Sequence, residues 1–121
     1  PKPPPPPPPA TTDRLAAGSC LYHNQRLTSR DGRFIAIMQT DGNFVVYQGG
    51  TPLWSTNTHG SGANRVCLQT DDNLVVYAAN GPKWAHNIYR NNAGCTLVMQ
   101  SDGNLVEYCP HVLWASHTCC R

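Results

Sequence analysis

The sequence predicts an all-β fold in which three antiparallel sheets, each of three or four short strands, stand around a shared pseudo-three-fold axis. A nine-residue pattern recurs as QTDGNFVVY at 39–47, QTDDNLVVY at 69–77 and QSDGNLVEY at 100–108, its first glutamines 30 and then 31 residues apart. Each copy is followed by a tryptophan, Trp54, Trp84 or Trp114, at spacings of 30 and 30. A fixed period of this size marks one supersecondary unit used repeatedly. No segment of helical length carries apolar residues at the helical period, so almost no helix is expected.

In chain order, residues 1–13 are expected to lie apart from the domain. Pro3–Pro9 is an unbroken run of seven prolines; such a run lacks backbone donors and favours an extended polyproline II rod. It reads as a spacer or stalk, with docking on an aromatic groove of a partner as the rival use. The chain begins at Pro1, which reads as a processed chain or a piece of a longer one. Residues 14–121 have the size of one domain, with Leu15–Arg33 as a lead-in strand region. Phe34–Met38 and Phe44–Tyr47 are short, β-branched and aromatic runs flanking Asp41-Gly42, a strong hairpin signal. Asp71-Asp72 keeps that pattern in the second unit without the glycine. One large indole per unit is expected to fill the centre of a narrow three-sided core. A loop of Asp41-Gly42-Asn43 would pair Gln39 with Val45 and place it on the face of Tyr47. A two-residue Asp-Gly loop would place it on the opposite face, and the sequence alone allows both.

Composition narrows the function. A net charge of +2 with 13% charged residues, the basic ones scattered, excludes an electrostatic nucleic-acid footprint. No apolar stretch approaches the roughly 20 residues that span a bilayer, so no membrane insertion is expected. Six cysteines in a short chain rich in turn residues read as disulfides formed in an oxidising compartment, hence a secreted or extracellular protein. None forms a C-x-x-C pair, which argues against zinc. Of about fifteen formal pairings, Cys95–Cys109 is suggested because the two flank the third hairpin. Cys119 and Cys120 are not expected to pair with each other, since neighbouring Cα atoms lie about 3.8 Å apart, below the usual disulfide span.

Gln, Asp, Asn and Tyr return in every unit at fixed offsets, with a valine between Asn and Tyr. Turn chemistry accounts for Asp and Asn, which bond local backbone, but not for Gln and Tyr. Two amides, a carboxylate, a phenol and an apolar floor are the mixture a sugar needs, because each hydroxyl both donates and accepts and the ring C–H face seeks apolar contact. The alternative is a structural or interaction domain whose repeats are only turn motifs.

Q-x-D-x-N-x-V-x-Y resembles the signature of the bulb-type, monocot mannose-binding lectins, the family of snowdrop agglutinin, and every motif position is filled three times across residues 15 to 118. The resemblance implies a β-prism II of three four-stranded antiparallel sheets and a non-enzymatic protein that recognises mannose-containing glycans and glycoproteins, with no metal or cofactor. It implies that Asp41 and Asn43 bond the axial 2-hydroxyl of mannose, Gln39 the 3-hydroxyl and Tyr47 the 4-hydroxyl, with Val45 against the ring carbons. Gln69, Asp71, Asn73, Val75 and Tyr77 would repeat these roles, as would Gln100, Asp102, Asn104, Val106 and Tyr108. The chain also departs from the plant pattern. Many plant members carry a cysteine where this chain has Gly42, so their disulfide does not transfer; the polyproline leader is foreign to them, and assembly into a homo-oligomer is left open.

Other classes fare worse. A glycosidase needs two carboxyls about 5–10 Å apart across one bond, whereas each unit supplies one repeated Asp, and Glu107 has no counterpart in the other units. His23, His59, His86, His111 and His117 are scattered and are expected to be exposed loop residues. The D-G-N run resembles a fragment of a calcium loop, but the further oxygen ligands are missing where Phe44 and Val45 follow.

Overall fold

The computed structural model describes residues 12–87 and 94–109, and the backbone of Leu113–Ala115. The polyproline run, His111, His117, Cys119, Cys120 and the Trp114 side chain lie outside the described residues. No helix occurs among the described residues.

Three short strands come first: β1 (Arg14–Ala16), β2 (Ser19–Tyr22) and β3 (Arg26–Thr28). Each unit then contributes three more. The first gives β4 (Phe34–Met38), β5 (Phe44–Gln48) and β6 (Thr51–Ser55). The second gives β7 (Ala63–Leu68), β8 (Leu74–Ala78) and β9 (Gly81–Ala85), and the third β10 (Thr96–Met99), β11 (Leu105–Tyr108) and β12 (Leu113–Ala115). They pair as three four-stranded sheets, β3-β4-β5-β6, β2-β7-β8-β9 and β1-β10-β11-β12, antiparallel throughout.

The lead-in region thus serves all three sheets rather than one. Leu15, Leu21 and Leu27, six residues apart, pair with Leu97, Val66 and Ala36 in three different sheets and are all buried. Because β1 joins the last unit, the two ends of the domain close in one sheet. Backbone bonding into the domain reaches Thr12 and Asp13, upstream of the expected start at 14: Thr28 N–H donates to the Thr12 carbonyl (2.9 Å) and Met99 N–H to that of Asp13 (2.8 Å).

Register explains the core. Alternation along a strand sends every second side chain inward, and the inward positions recur in threes. They are Leu27, Leu21 and Leu15; Ala36, Val66 and Leu97; Met38, Leu68 and Met99; and Phe44, Leu74 and Leu105, all in one buried cluster. The next set is Val46, Val76 and Glu107, so a carboxylate takes a core position in the third unit, where it is 1% exposed. Trp54 and Trp84 stand across from the inward-facing Val46 and Val76, so the two described indoles lie on the inner faces of their sheets. Trp54 and Trp84 are only partly buried, packed against the cluster and edge-to-face with each other at 5.8 Å.

Two disulfides tie the described residues. Cys95–Cys109, suggested by the sequence, is present, and Cys20–Cys67 joins directly opposed residues of β2 and β7. The turn before β4 is fixed to the third hairpin by Arg33, whose guanidinium donates to the Ser101 carbonyl (2.7 Å). The same side chain, bonded to Asp31, holds that carboxyl at a pKa of about 2.

Candidate functional site

Each repeated motif spans the hairpin between the two middle strands of its sheet. Met38 pairs with Phe44, and beyond them Gln39 N–H donates to the Asn43 carbonyl (2.9 Å) while Gly42 N–H donates to that of Gln39 (3.1 Å). The loop is therefore Thr40-Asp41-Gly42, a turn closed by a residue in the left-handed region, Gly42 at φ 92°. Gln39 pairs with Asn43 rather than with Val45, a correction of one step to the expected loop. The shift moves the loop and both pairings together, so Gln39 stays on the face of Val45 and Tyr47, as the three-residue alternative required. The second and third hairpins repeat these bonds through Gln69–Asn73 and Gln100–Asn104, with Asp72 at φ 71° and Gly103 at φ 87° in the left-handed position.

The structure brings the five motif side chains of each unit to the outer face of one sheet. Each Asp accepts a bond from the backbone N–H of its Asn: Asp41 from Asn43 (2.9 Å), Asp71 from Asn73 (3.0 Å) and Asp102 from Asn104 (3.0 Å). The turn role of these residues is thus real, and it leaves the second carboxylate oxygen for other donors. Gln and Tyr meet across the hairpin in every unit, as Gln39–Tyr47 (2.5 Å), Gln69–Tyr77 and Gln100–Tyr108. The Gln39 amide satisfies all its neighbours when its nitrogen faces Asp41 (3.1 and 3.2 Å) and its oxygen accepts from the Tyr47 hydroxyl. Carboxylate, amide and phenol then form one chain of hydrogen bonds whose members can exchange partners with an incoming hydroxyl.

Val45, Val75 and Val106 lie beneath this chain and outside the central cluster, at 2, 3 and 3% exposure. They form a floor covered by the polar side chains above rather than an open apolar patch. Ile37, Cys67 and Val98 extend the floors, each directly across from its valine. The tyrosines differ more in their neighbours: Ile35 stands across from Tyr47, Thr96 across from Tyr108, and Arg65 across from Tyr77 with its guanidinium 4.8 Å from the ring centre. The second motif opens on a cleft of about 430 Å³ lined by Gln69, Asp71, Tyr77, Arg65 and the Cys20–Cys67 bridge.

Supporting residues were less visible in the sequence. The Asn43 amide oxygen accepts from Thr58 N–H (3.1 Å) and the Thr56 hydroxyl (3.3 Å), which fixes the rotation of that amide. The second unit uses Asn87 N–H (2.9 Å) and the His86 ring on Asn73 instead. His86 is not an exposed loop residue as expected; its side chain is 2% exposed because its ring pairs with the buried Glu107. His23 and His59 are exposed. Among the described residues one cluster gathers three potential metal ligands, Cys95, Glu107 and Cys109. Its two sulfurs are joined to each other and offer no thiolates.

Three outer sheet faces, each carrying a Gln–Tyr contact and an Asp-closed turn over a valine floor, define a β-prism lectin. The chain belongs to the bulb-type, snowdrop-agglutinin-like mannose-binding lectin family. A monomeric monocot mannose-binding lectin of Gastrodia elata superposes with a TM-score of 0.84 at 35% identity, over 90% of this chain and 100% of that one. Snowdrop (Galanthus nivalis) agglutinin, crystallised with methyl-α-D-mannoside, does so with 0.75 at 36% identity over 90% and 99%. The mannose-specific lectin of Galanthus nivalis is 38% identical over 103 residues, 82% of this chain and 46% of that protein. The B-type lectin plumieribetin of Scorpaena plumieri is 50% identical over 42 residues, 35% of this chain and 36% of that one. The chain therefore spans less than half the length of the curated relatives it matches. No protein-family model matches it.

Proposed function

We propose that this chain is a non-enzymatic lectin domain that binds terminal mannose on glycans at three repeated sites. The observation that carries the proposal is the Gln–Asp–Asn–Val–Tyr constellation, built the same way on the outer face of every sheet, in a chain similar to an agglutinin crystallised with a mannoside. Asp41 and Asn43, Asp71 and Asn73, and Asp102 and Asn104 take the axial 2-hydroxyl, which distinguishes mannose from glucose. Gln39, Gln69 and Gln100 take the 3-hydroxyl, and Tyr47, Tyr77 and Tyr108 the 4-hydroxyl. The sugar inserts by exchanging the Gln–Tyr contact for bonds to its own hydroxyls, while Val45, Val75 and Val106 support the ring. No metal or cofactor enters this scheme.

One such shallow site supports affinity on the order of millimolar for free mannose. Three sites on three faces engage several glycan arms at once, which raises apparent affinity by roughly 10²–10⁴ on dense mannose surfaces. Disulfides supported by an oxidising environment suit a secreted or extracellular location. The direct test is calorimetry with mannose, glucose and galactose side by side, with and without a chelator. Mannose is expected to bind regardless of chelator and the other two poorly; equal affinity for galactose would overturn the assignment of the Asp–Asn pairs.

A further inference from the structure

We infer that His86 and Glu107 are positioning residues for the second sugar site, so that a side chain belonging to the third motif controls binding at the second. The inference rests on the reading of the motifs as sugar sites and goes beyond it, because neither residue belongs to the motif of the site it would serve.

The first unit supplies the reference. Two residues after Trp54, Thr56 N–H donates to the Phe44 carbonyl (3.0 Å), and its hydroxyl accepts from Phe44 N–H (3.3 Å) while donating to Asn43 Oδ1 (3.3 Å). Two residues after Trp84 the same place is held by His86, whose N–H donates to the Leu74 carbonyl (3.1 Å). His86 Nδ1 occupies the position of the threonine hydroxyl, 3.4 Å from Leu74 N and 3.0 Å from Asn73 Oδ1.

A hydroxyl accepts and donates at once, whereas one ring nitrogen does only one of the two. Asn73 Oδ1 can only accept, so a bond there requires a hydrogen on Nδ1. The other nitrogen, Nε2, is held by Glu107 Oε1, which fixes the orientation of the ring. Nδ1–H is therefore directed at Asn73. That bond and the one from Asn87 N–H hold the amide oxygen inward, leaving the amide nitrogen as the end that meets a sugar hydroxyl.

Glu107 stands at the core position that Val46 and Val76 fill in the other units, between Val106 and Tyr108 of the third motif. It reaches the second site through the interior of the prism, not along the surface. Two departures from the repeat, valine to glutamate and threonine to histidine, thus meet at one contact.

The test uses the full chain in two single-site forms. One keeps the second site (Asp41→Ala with Asp102→Ala), and the other keeps the first (Asp71→Ala with Asp102→Ala). Glu107→Val, His86→Thr and the pair together are introduced into each, and mannose affinity is measured by NMR titration. Each single change is expected to weaken the second site by about tenfold, the loss of a buried hydrogen bond, and to leave the first site within about twofold. The double variant, which carries the first unit's residue types, should return the second site to within about threefold of its parent. Imidazole ¹⁵N shifts should report a hydrogen on His86 Nδ1 in the parent and an altered ring in Glu107→Val. An unchanged second site in the single variants, or a first site that falls in step with it, would contradict the inference. If a single variant does not fold, the double variant decides: folded protein without second-site binding overturns the inference. Absence of mannose binding in both parents would instead remove the sugar-site reading, and this inference with it.

Discussion

In the first hairpin the left-handed corner is Gly42, and a Cβ there would lie 3.0 Å from the Thr58 carbonyl and 3.1 Å from Ser61 Oγ. In the second the corner is Asp72, fully buried, whose carboxylate accepts a bond from Cys95 N–H (3.0 Å). The two solutions serve a similar need. Ser61 Oγ accepts from Ala63 N–H (3.2 Å) at the start of β7, and Asp72 does the same just before β10. One unit removes a side chain to admit a neighbour's hydroxyl, and the other supplies the acceptor from the corner itself, accepting the cost of a non-glycine residue in the left-handed region. Residues that look interchangeable in the repeat are therefore bound to different surroundings.

The units also differ in covalent support, and removing it should give the largest effect. The Cys20–Cys67 bridge closes a separation of 47 residues beneath the second site, where the first site has Ile37. Cys20→Ser with Cys67→Ser is expected to lower stability by about 3–4 kcal/mol and to weaken the second site more than the first; denaturant unfolding and site-resolved NMR titration check both. Exchanging the corners should come next. Gly42→Asp is expected to cost about 2 kcal/mol, since the added Cβ meets backbone as well as the Ser61 hydroxyl. Asp72→Gly should cost less, about 1 kcal/mol, because relief of the corner offsets part of the lost bond to Cys95 N–H. Equal losses on exchange would show that the surroundings do not matter.

The smallest effect concerns acid. Asp31 is held at a pKa of about 2, first by its hydrogen bond to the Arg33 side chain, well below an unfolded value of roughly 3.9. Its stabilising contribution is present above the unfolded value and fades as pH falls toward 2. Asp31→Asn should therefore lower the melting temperature slightly at neutral pH, and the gap to the parent should close in acid.

Much of this architecture was legible because the motif is written three times. The period located three sheets, and the spacing put Val and Tyr on one face; whether Gln joins them was left open by the sequence, and the register of the hairpin decides it. What was hidden falls into two kinds. β1 and β3 are only three residues long, too short to show alternation, so the six-residue spacing of Leu15, Leu21 and Leu27 passed unnoticed. His86 was expected in an exposed loop and Glu107 stood out only as unmatched in the other units, since neither carries a local signal of burial; only the fold brings together two residues 21 apart.

The account stands on three working sugar sites, and ¹⁵N-resolved titration of the full chain with mannose tests that most directly. The side-chain amides of Gln39, Gln69 and Gln100 should all shift and saturate with mannose, and should hardly move with galactose. Shifts confined to one hairpin, or equal shifts with galactose, would contradict it and return the remaining motifs to the role of turns.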